Sequence, residues 1–191
     1  YPQLGTYSSR DPEIIKEHLE QHVTAGIGVI VVSWWGKDTY EDKGVPDLLD
    51  LASSYGIKIA FHLEPFKGRN AETSRDAIAY LMDQYGSHPS LYRPSEFGDR
   101  PMLYVYDSYL TDAEEWSRLL HPDGDISIRN TPLDAIMIGL WVNPADSLKL
   151  LDSDFDGWYT YFGSDGFTFG SKSDNWILLS ECAYRNNKIF I

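Results

Sequence analysis

Two carboxylates and one imidazole carry most of the chemistry this sequence offers. His62 and Glu64 lie in the run Ile57-Lys58-Ile59-Ala60-Phe61-His62-Leu63-Glu64-Pro65-Phe66-Lys67-Gly68-Arg69, and Asp107 lies in Tyr104-Val105-Tyr106-Asp107-Ser108-Tyr109. Hydrolysis of a glycosidic bond uses two carboxyl groups, one as an acid and one as a nucleophile or base. Glu64 and Asp107 are the pair on offer, and neither has a neighbour at short spacing that would make it a dyad. Each group also has a plain structural role open to it. Glu64 can pair with Arg69, Asp107 can cap a helix or meet an arginine, and Trp35 can simply pack. Glu64 and Trp35 are read as functional and His62 as a hydrogen-bonded core residue, while Asp107 stays open between the two. The three titratable groups form no dense ligand cluster, so no metal is expected. Cys182 is alone, which excludes an internal disulfide and a cysteine metal site.

The elements that must position these groups follow a repeating rhythm. A polar loop over Tyr1–Arg10 leads to a helix capped by Ser9 or Asp11, with Pro12 in its first turn and Gly26 at its end. Gly28–Ser33 is a continuous apolar strand of the kind buried on both faces. Helices follow over Pro46–Tyr55, Ala71–Tyr85, Thr111–Leu120, Pro144–Leu151 and Lys172–Asn187. Thr111 and Glu114 read as a capping box. Strands intervene from Ile57, over Pro101–Asp107, Leu133–Val142 and Gly157–Phe162, and another begins at Lys188. Pro65 ends the second strand because it has no N–H to give to a ladder.

Strand and helix alternate without hairpin signals, the mark of βαβ units and a parallel sheet. An open doubly wound sheet and a (β/α)8 barrel both fit that rhythm. No glycine-rich phosphate loop follows any strand, which favours the barrel over a nucleotide-binding sheet. In a barrel the strand carboxyl ends converge on one face. They read Ser33-Trp34-Trp35, His62-Leu63-Glu64, Tyr106-Asp107-Ser108-Tyr109, Trp141-Val142-Asn143 and Tyr159-Thr160-Tyr161. Their rings can lie on the apolar faces of sugars, and their carboxylates can accept hydrogen bonds from hydroxyls. The opposite ends, at Gly28, Ile57 and Pro101, carry almost none of this chemistry. Tyr159 and Tyr161 share a face in strand geometry, so at least one is expected to line the cavity.

A formal charge of −13 excludes a general electrostatic affinity for nucleic acid. Aromatic residues make up 14% of the chain, which fits either a sugar cleft or an aromatic-rich core. No uninterrupted apolar stretch has transmembrane length. No linker or repeat divides the 191 residues, which read as one domain. A chain that opens on Tyr1 without Met and stops inside the apolar run Lys188-Ile189-Phe190-Ile191 is expected to be a fragment.

Seven runs taken together resemble family 99 of the glycoside hydrolases, the endo-α-1,2-mannosidases. They are Tyr1-Pro2-Gln3-Leu4-Gly5-Thr6-Tyr7-Ser8-Ser9-Arg10-Asp11-Pro12, Ala25-Gly26-Ile27-Gly28-Val29, Phe61-His62-Leu63-Glu64-Pro65, Tyr104–Tyr109, Ser127-Ile128-Arg129-Asn130-Thr131-Pro132, Phe155-Asp156-Gly157-Trp158-Tyr159-Thr160-Tyr161-Phe162 and Asn175-Trp176. The resemblance spans essentially the whole chain. It implies residues 1–191 of a single partial (β/α)8 barrel, from about the first helix to the start of the seventh strand. It implies an enzyme that removes glucosylated mannose from high-mannose N-glycans or cuts α-mannan, with retention of configuration and without metal or cofactor. The sugar's own 2-hydroxyl would act as nucleophile, through a 1,2-anhydro intermediate.

The family's base and acid are glutamates of an Asn-Glu-Trp-His-Glu motif that does not occur here and is expected beyond Ile191. The family's first strand is also absent, and the loop after Trp35 lacks the double proline of some animal members. By the resemblance, Glu64 matches a substrate-binding glutamate and Trp35 an aromatic at the cleft. One of Tyr159 and Tyr161 matches a tyrosine near the reacting sugar. The implied location is the Golgi lumen for an animal protein, held to the membrane by an anchor outside this chain, or secreted or periplasmic for a bacterial one. The reading is therefore a glycosidase fragment that is inactive alone. A non-catalytic glycan-binding barrel is the alternative.

Overall fold

The structure, a computed structural model, describes residues 3–191; Tyr1 and Pro2 of the expected leading loop lie outside the described residues. Among the described residues six strands alternate with six helices: β1 (Val29–Trp34), β2 (Lys58–Leu63), β3 (Met102–Val105), β4 (Ile136–Leu140), β5 (Gly157–Tyr159) and β6 (Ile189–Phe190), with α1 (Pro12–Thr24), α2 (Val45–Ser54), α3 (Ala71–Tyr85), α4 (Ala113–Leu120), α5 (Asp146–Asp152) and α6 (Trp176–Arg185). Asp11 is the cap of α1, accepting from the Glu13 N–H at 3.0 Å, and Pro12 sits at the helix start where it needs no donor. Asn70 and Thr73 exchange hydrogen bonds in a capping box at α3. The box expected at Thr111 does not form. Asp112 holds the cap position of α4, and the Thr111 hydroxyl accepts instead from Arg69 Nε at 3.2 Å.

Every strand pair is parallel, and spatial order equals chain order from β1 to β6. That order decides between the two architectures the rhythm left open. A doubly wound sheet reverses its strand order at a switch point, and no reversal occurs here. Crossovers that all return to the same side curl the sheet toward a barrel.

The two faces of the sheet carry separate cores. Phe61, Leu103, Val105, Met137 and Trp158 pack outward against Leu49, Ile78, Trp116, Leu119 and Leu179 of the helices. Ala60, Tyr104, Ile136, Ile138 and Tyr159 point inward. The strict alternation along β4, Ile136 inward and Met137 outward, follows from the two-residue period of a strand. At Gly157 the backbone approach explains the residue: a Cβ there would lie 2.3 Å from the carbonyl oxygen of Ile189 on β6.

One expectation about the sheet is corrected. The strand at Gly28–Ser33 is not buried on both faces, since Val31 is 42% exposed. Among the described residues β1 pairs only with β2, so it is an edge strand with one free side. The strands expected over Pro101–Asp107 and Leu133–Val142 keep their centres and lose their ends, and the one expected over Gly157–Phe162 keeps only Gly157–Tyr159. Among the described residues no helix is long and apolar enough to cross a membrane.

Candidate functional site

The carboxyl end of β2 aligns its polar residues with their neighbours. Ser33 of β1 pairs with His62, and His62 pairs with Tyr104 of β3. Alternation then puts His62 and Glu64 on the inner face. Both are buried, Glu64 at 6% exposure, and their side chains meet: His62 Nδ1 lies 2.8 Å from Glu64 Oε1. On its other side His62 Nε2 lies 2.5 Å from the hydroxyl of Tyr159, at the end of β5. The imidazole is therefore a hydrogen-bonded core residue, as expected, and it also joins two of the predicted site residues.

Aromatic rings enclose this chain of hydrogen bonds. Tyr161 stacks on the His62 ring at 5.4 Å and 20°, Tyr106 lies 5.2 Å from it, and Tyr106 and Tyr161 meet edge to face at 5.0 Å. Tyr159 is 5% exposed whereas Tyr161, beyond the end of β5, is 55% exposed. Burial first, and the nearby Glu64 charge second, push the Tyr159 hydroxyl well above the usual tyrosine range. In the tautomer in which Nδ1–H donates to the Glu64 carboxylate, Nε2 accepts from the Tyr159 O–H. Glu64 Oε2 accepts nothing among the described residues, so it retains lone pairs for a ligand hydroxyl.

Glu64 does not pair with Arg69, the structural alternative left open by the sequence. Arg69 turns to the end of β3, where Nη1 donates to the Tyr106 carbonyl at 2.7 Å and Nη2 donates to the Asp107 carbonyl. Its guanidinium lies 5.6 Å over the Trp116 ring. Burial lowers the Arg69 pKa, while the charges of Asp107 and Glu64 oppose the shift. Asp107 meets the arginine through its main chain. Its backbone is left-handed at φ 49°, and its carboxylate accepts from the Tyr109 hydroxyl at 2.9 Å. Burial, then this hydrogen bond, pushes Tyr109 up to about 12. Asp107 precedes a short 3-10 turn without capping it through its side chain.

Of the remaining rim residues, Trp35 stands 48% exposed after β1. Trp34 is buried and donates its indole N–H to Asp42 at 2.8 Å. Trp141 turns away from the inner face to meet Trp158 at 5.2 Å. Sequence reasoning missed the clasp made by Arg69 and the anchoring role of Asp42. No spacing rule links either to its partners, because Arg69 reaches a different strand and Asp42 collects donors from β1 and α3.

Fold and rim together define a segment of a parallel (β/α) barrel whose polar and aromatic groups gather at the strand carboxyl ends. The description "Glycosyl hydrolase family 99" matches residues 1–191, and the chain belongs to that family. It is 47% identical over 199 aligned residues to the human glycoprotein endo-alpha-1,2-mannosidase-like protein, covering all of this chain and 44% of that one. It is 42% identical to rat glycoprotein endo-alpha-1,2-mannosidase, covering all of this chain and 43% of that one. The structure of the GH99 endo-alpha-mannosidase from Bacteroides thetaiotaomicron superposes with a TM-score of 0.94 at 44% identity, over all of this chain and 55% of that one. The chain thus spans less than half the length of these curated relatives.

Proposed function

We propose that the protein is an endo-acting α-mannosidase that cuts within a high-mannose N-glycan or a related α-mannan. This chain would supply the wall of the cleft that holds the sugar. The observation that carries the reading is the buried Tyr159–His62–Glu64 chain at the strand carboxyl ends, beneath the exposed ring of Tyr161, with Trp35 exposed at the end of the neighbouring strand β1. Glu64 would accept a sugar hydroxyl, Trp35 and Tyr161 would lie against apolar sugar faces, and Asp107 would take part through the rim it shares with Tyr106 and Tyr109. Tyr159 would act from behind, through His62. The 42–47% identity to proteins named for this activity supports the reaction class.

The reading takes retention of configuration without metal from the family resemblance. Lacking the Asn-Glu-Trp-His-Glu motif, the isolated 191-residue chain is expected to be inactive. An animal source would place the protein in the Golgi lumen. The test is incubation with a glucosylated high-mannose glycan. The full-length protein is expected to release a glucosylated mannose unit, and the isolated chain is expected to release none. Glu64→Gln and Trp35→Ala should each lower kcat/KM of the full-length protein about tenfold, the scale of one lost charged hydrogen bond or ring contact. Glycan binding by the full-length protein without any release would instead identify a non-catalytic glycan-binding barrel.

A further inference from the structure

One buried carboxylate beside the cleft takes no part in the chain of hydrogen bonds described above. Asp42 lies in the loop after β1 and accepts from Trp34 Nε1 at 2.8 Å, the Asp38 N–H at 2.9 Å, the Tyr80 hydroxyl at 2.8 Å and the Tyr85 hydroxyl at 3.2 Å. Burial pushes its pKa up, but the hydrogen bonds from Trp34, Asp38, Tyr80 and Tyr85 overcome this and hold it below the usual carboxylate range. Asp42 therefore stays charged and locks its donors in place. The rings of Trp34 and Tyr80 are stacked at 6.0 Å and 22°. The loop that carries Trp35, Gly36 and Lys37 runs between two of these fixed points, Trp34 and Asp38.

What this clamp holds is the wall of a pocket. Between the loop, Phe66 after β2 and the side of α3 lies an open volume of about 370 Å³, walled by Trp34, Trp35, Phe66 and Tyr80, with Lys37 and Asp76 at its margin. Lys37 Nζ stands 5.5 Å over the Tyr80 ring. The pocket adjoins the cleft. Trp35 lines it, and the Glu64 N–H donates to the Trp34 carbonyl at 3.0 Å. Flat rings flanked by one ammonium and one carboxylate match a pyranose. Its C–H face packs on the rings, Lys37 can donate to a ring hydroxyl, and Asp76 can accept from another. The Trp34 and Tyr80 walls, already fixed by Asp42, lose little conformational freedom on binding.

We propose that this pocket is a further subsite that takes an additional hexose of the same glycan, the residue next along from the sugar at Trp35. The inference rests on the endo-mannosidase reading above. It is tested with full-length protein on two α-mannosides that differ by the one hexose long enough to enter the pocket. Wild type is expected to favour the longer substrate in kcat/KM by about fivefold, the worth of one ring contact. Phe66→Ala and Lys37→Ala should bring that ratio to about one, with kcat and KM on the shorter substrate unchanged. Lys37 is exposed, so its variant reads the pocket even where Phe66→Ala disturbs folding. An unchanged ratio in Lys37→Ala and in folded Phe66→Ala, with normal turnover, overturns the subsite alone. No turnover of either mannoside by wild type overturns the endo-mannosidase reading, and the subsite with it.

Discussion

The hydroxyl of Tyr159 and Nε2 of His62 lie 2.5 Å apart, although the residues stand 97 positions apart in the chain. This contact ties the end of β5 to the end of β2, and it fixes which imidazole nitrogen faces Glu64. Tyr159→Phe removes the donor and leaves a buried ring nitrogen unpaired, at a cost of about 1–3 kcal/mol. The full-length variant should therefore melt several degrees lower. Its kcat/KM should also fall more than the loss of folded protein explains, because His62, the partner of Glu64, loses the contact that holds its ring in place. An unchanged melting temperature would show that Nε2 has another donor.

Alkaline titration reads the same region through its tyrosines. Burial raises Tyr104 and Tyr109 to about 12, and Tyr159 is raised further, with burial the first cause in each. A raised pKa means that folding favours the neutral phenol. The associated stability is fully present below the unfolded tyrosine value near 10 and is lost as pH rises toward the folded values. Stability to denaturant should be level from neutrality to about pH 10 and should decline through about pH 12. The tyrosinate absorbance of Tyr104, Tyr109 and Tyr159 should appear in step with unfolding. Absorbance rising fully near pH 10 in the folded protein would contradict the burial argument.

Arg69 makes a sharper test of how the rim is held. Its planar fork bonds the carbonyls of Tyr106 and Asp107 while its Nε reaches Thr111. Lysine keeps the charge but cannot span the three acceptors. Arg69→Lys should lower kcat/KM about tenfold, roughly one charge-assisted hydrogen bond, with a smaller fall in melting temperature. A melting temperature that falls while kinetics per folded molecule stay unchanged would restrict Arg69 to a structural role.

These cases separate what spacing can reveal from what it cannot. The strand and helix rhythm, a cap at Ser9 or Asp11, and the side of the barrel bearing Glu64, Asp107, Trp35, Tyr159 and Tyr161 follow from local pattern, whereas the capping box at Asn70 came only from the structure. A two-residue or 3.6-residue period is a property of adjacent residues. Burial of β1 departs from expectation because an apolar run reads the same in a central and in an edge strand, and β1 has β2 alone beside it among the described residues. The capping box at Thr111 was misread because a distant arginine claims the hydroxyl. Whether Glu64 pairs with Arg69 or serves the site stays open in the sequence because Pro65 ends the strand, and beyond it no period says where the Arg69 side chain points.

The amino ends of the central strands depend on Arg129, which lies in a loop the sequence marks only by its Ser127–Pro132 run. Its side chain donates to the carbonyls of Leu120 and Ala135, each at 2.7 Å, and to Asp156 Oδ2 at 2.8 Å. The same Oδ2 accepts from the Met137 N–H at 2.8 Å, so one arginine and one aspartate join the end of α4 to the starts of β4 and β5. The guanidinium is only 9% exposed on its side chain, so solvent cannot replace it. Arg129→Ala would leave the Asp156 carboxylate without its main counter-charge and two carbonyls without donors. Breaking such a pair costs about 3–5 kcal/mol. The full-length variant should lose much of its unfolding free energy in denaturant titration. Arg129→Ala, Asp156→Ala and the double variant complete a cycle in which the double should cost less than the sum of the singles, because the second removal strands no further charge. Additive costs would mean that Arg129 and Asp156 act through separate partners, and that the carbonyl bonds carry the arginine's contribution.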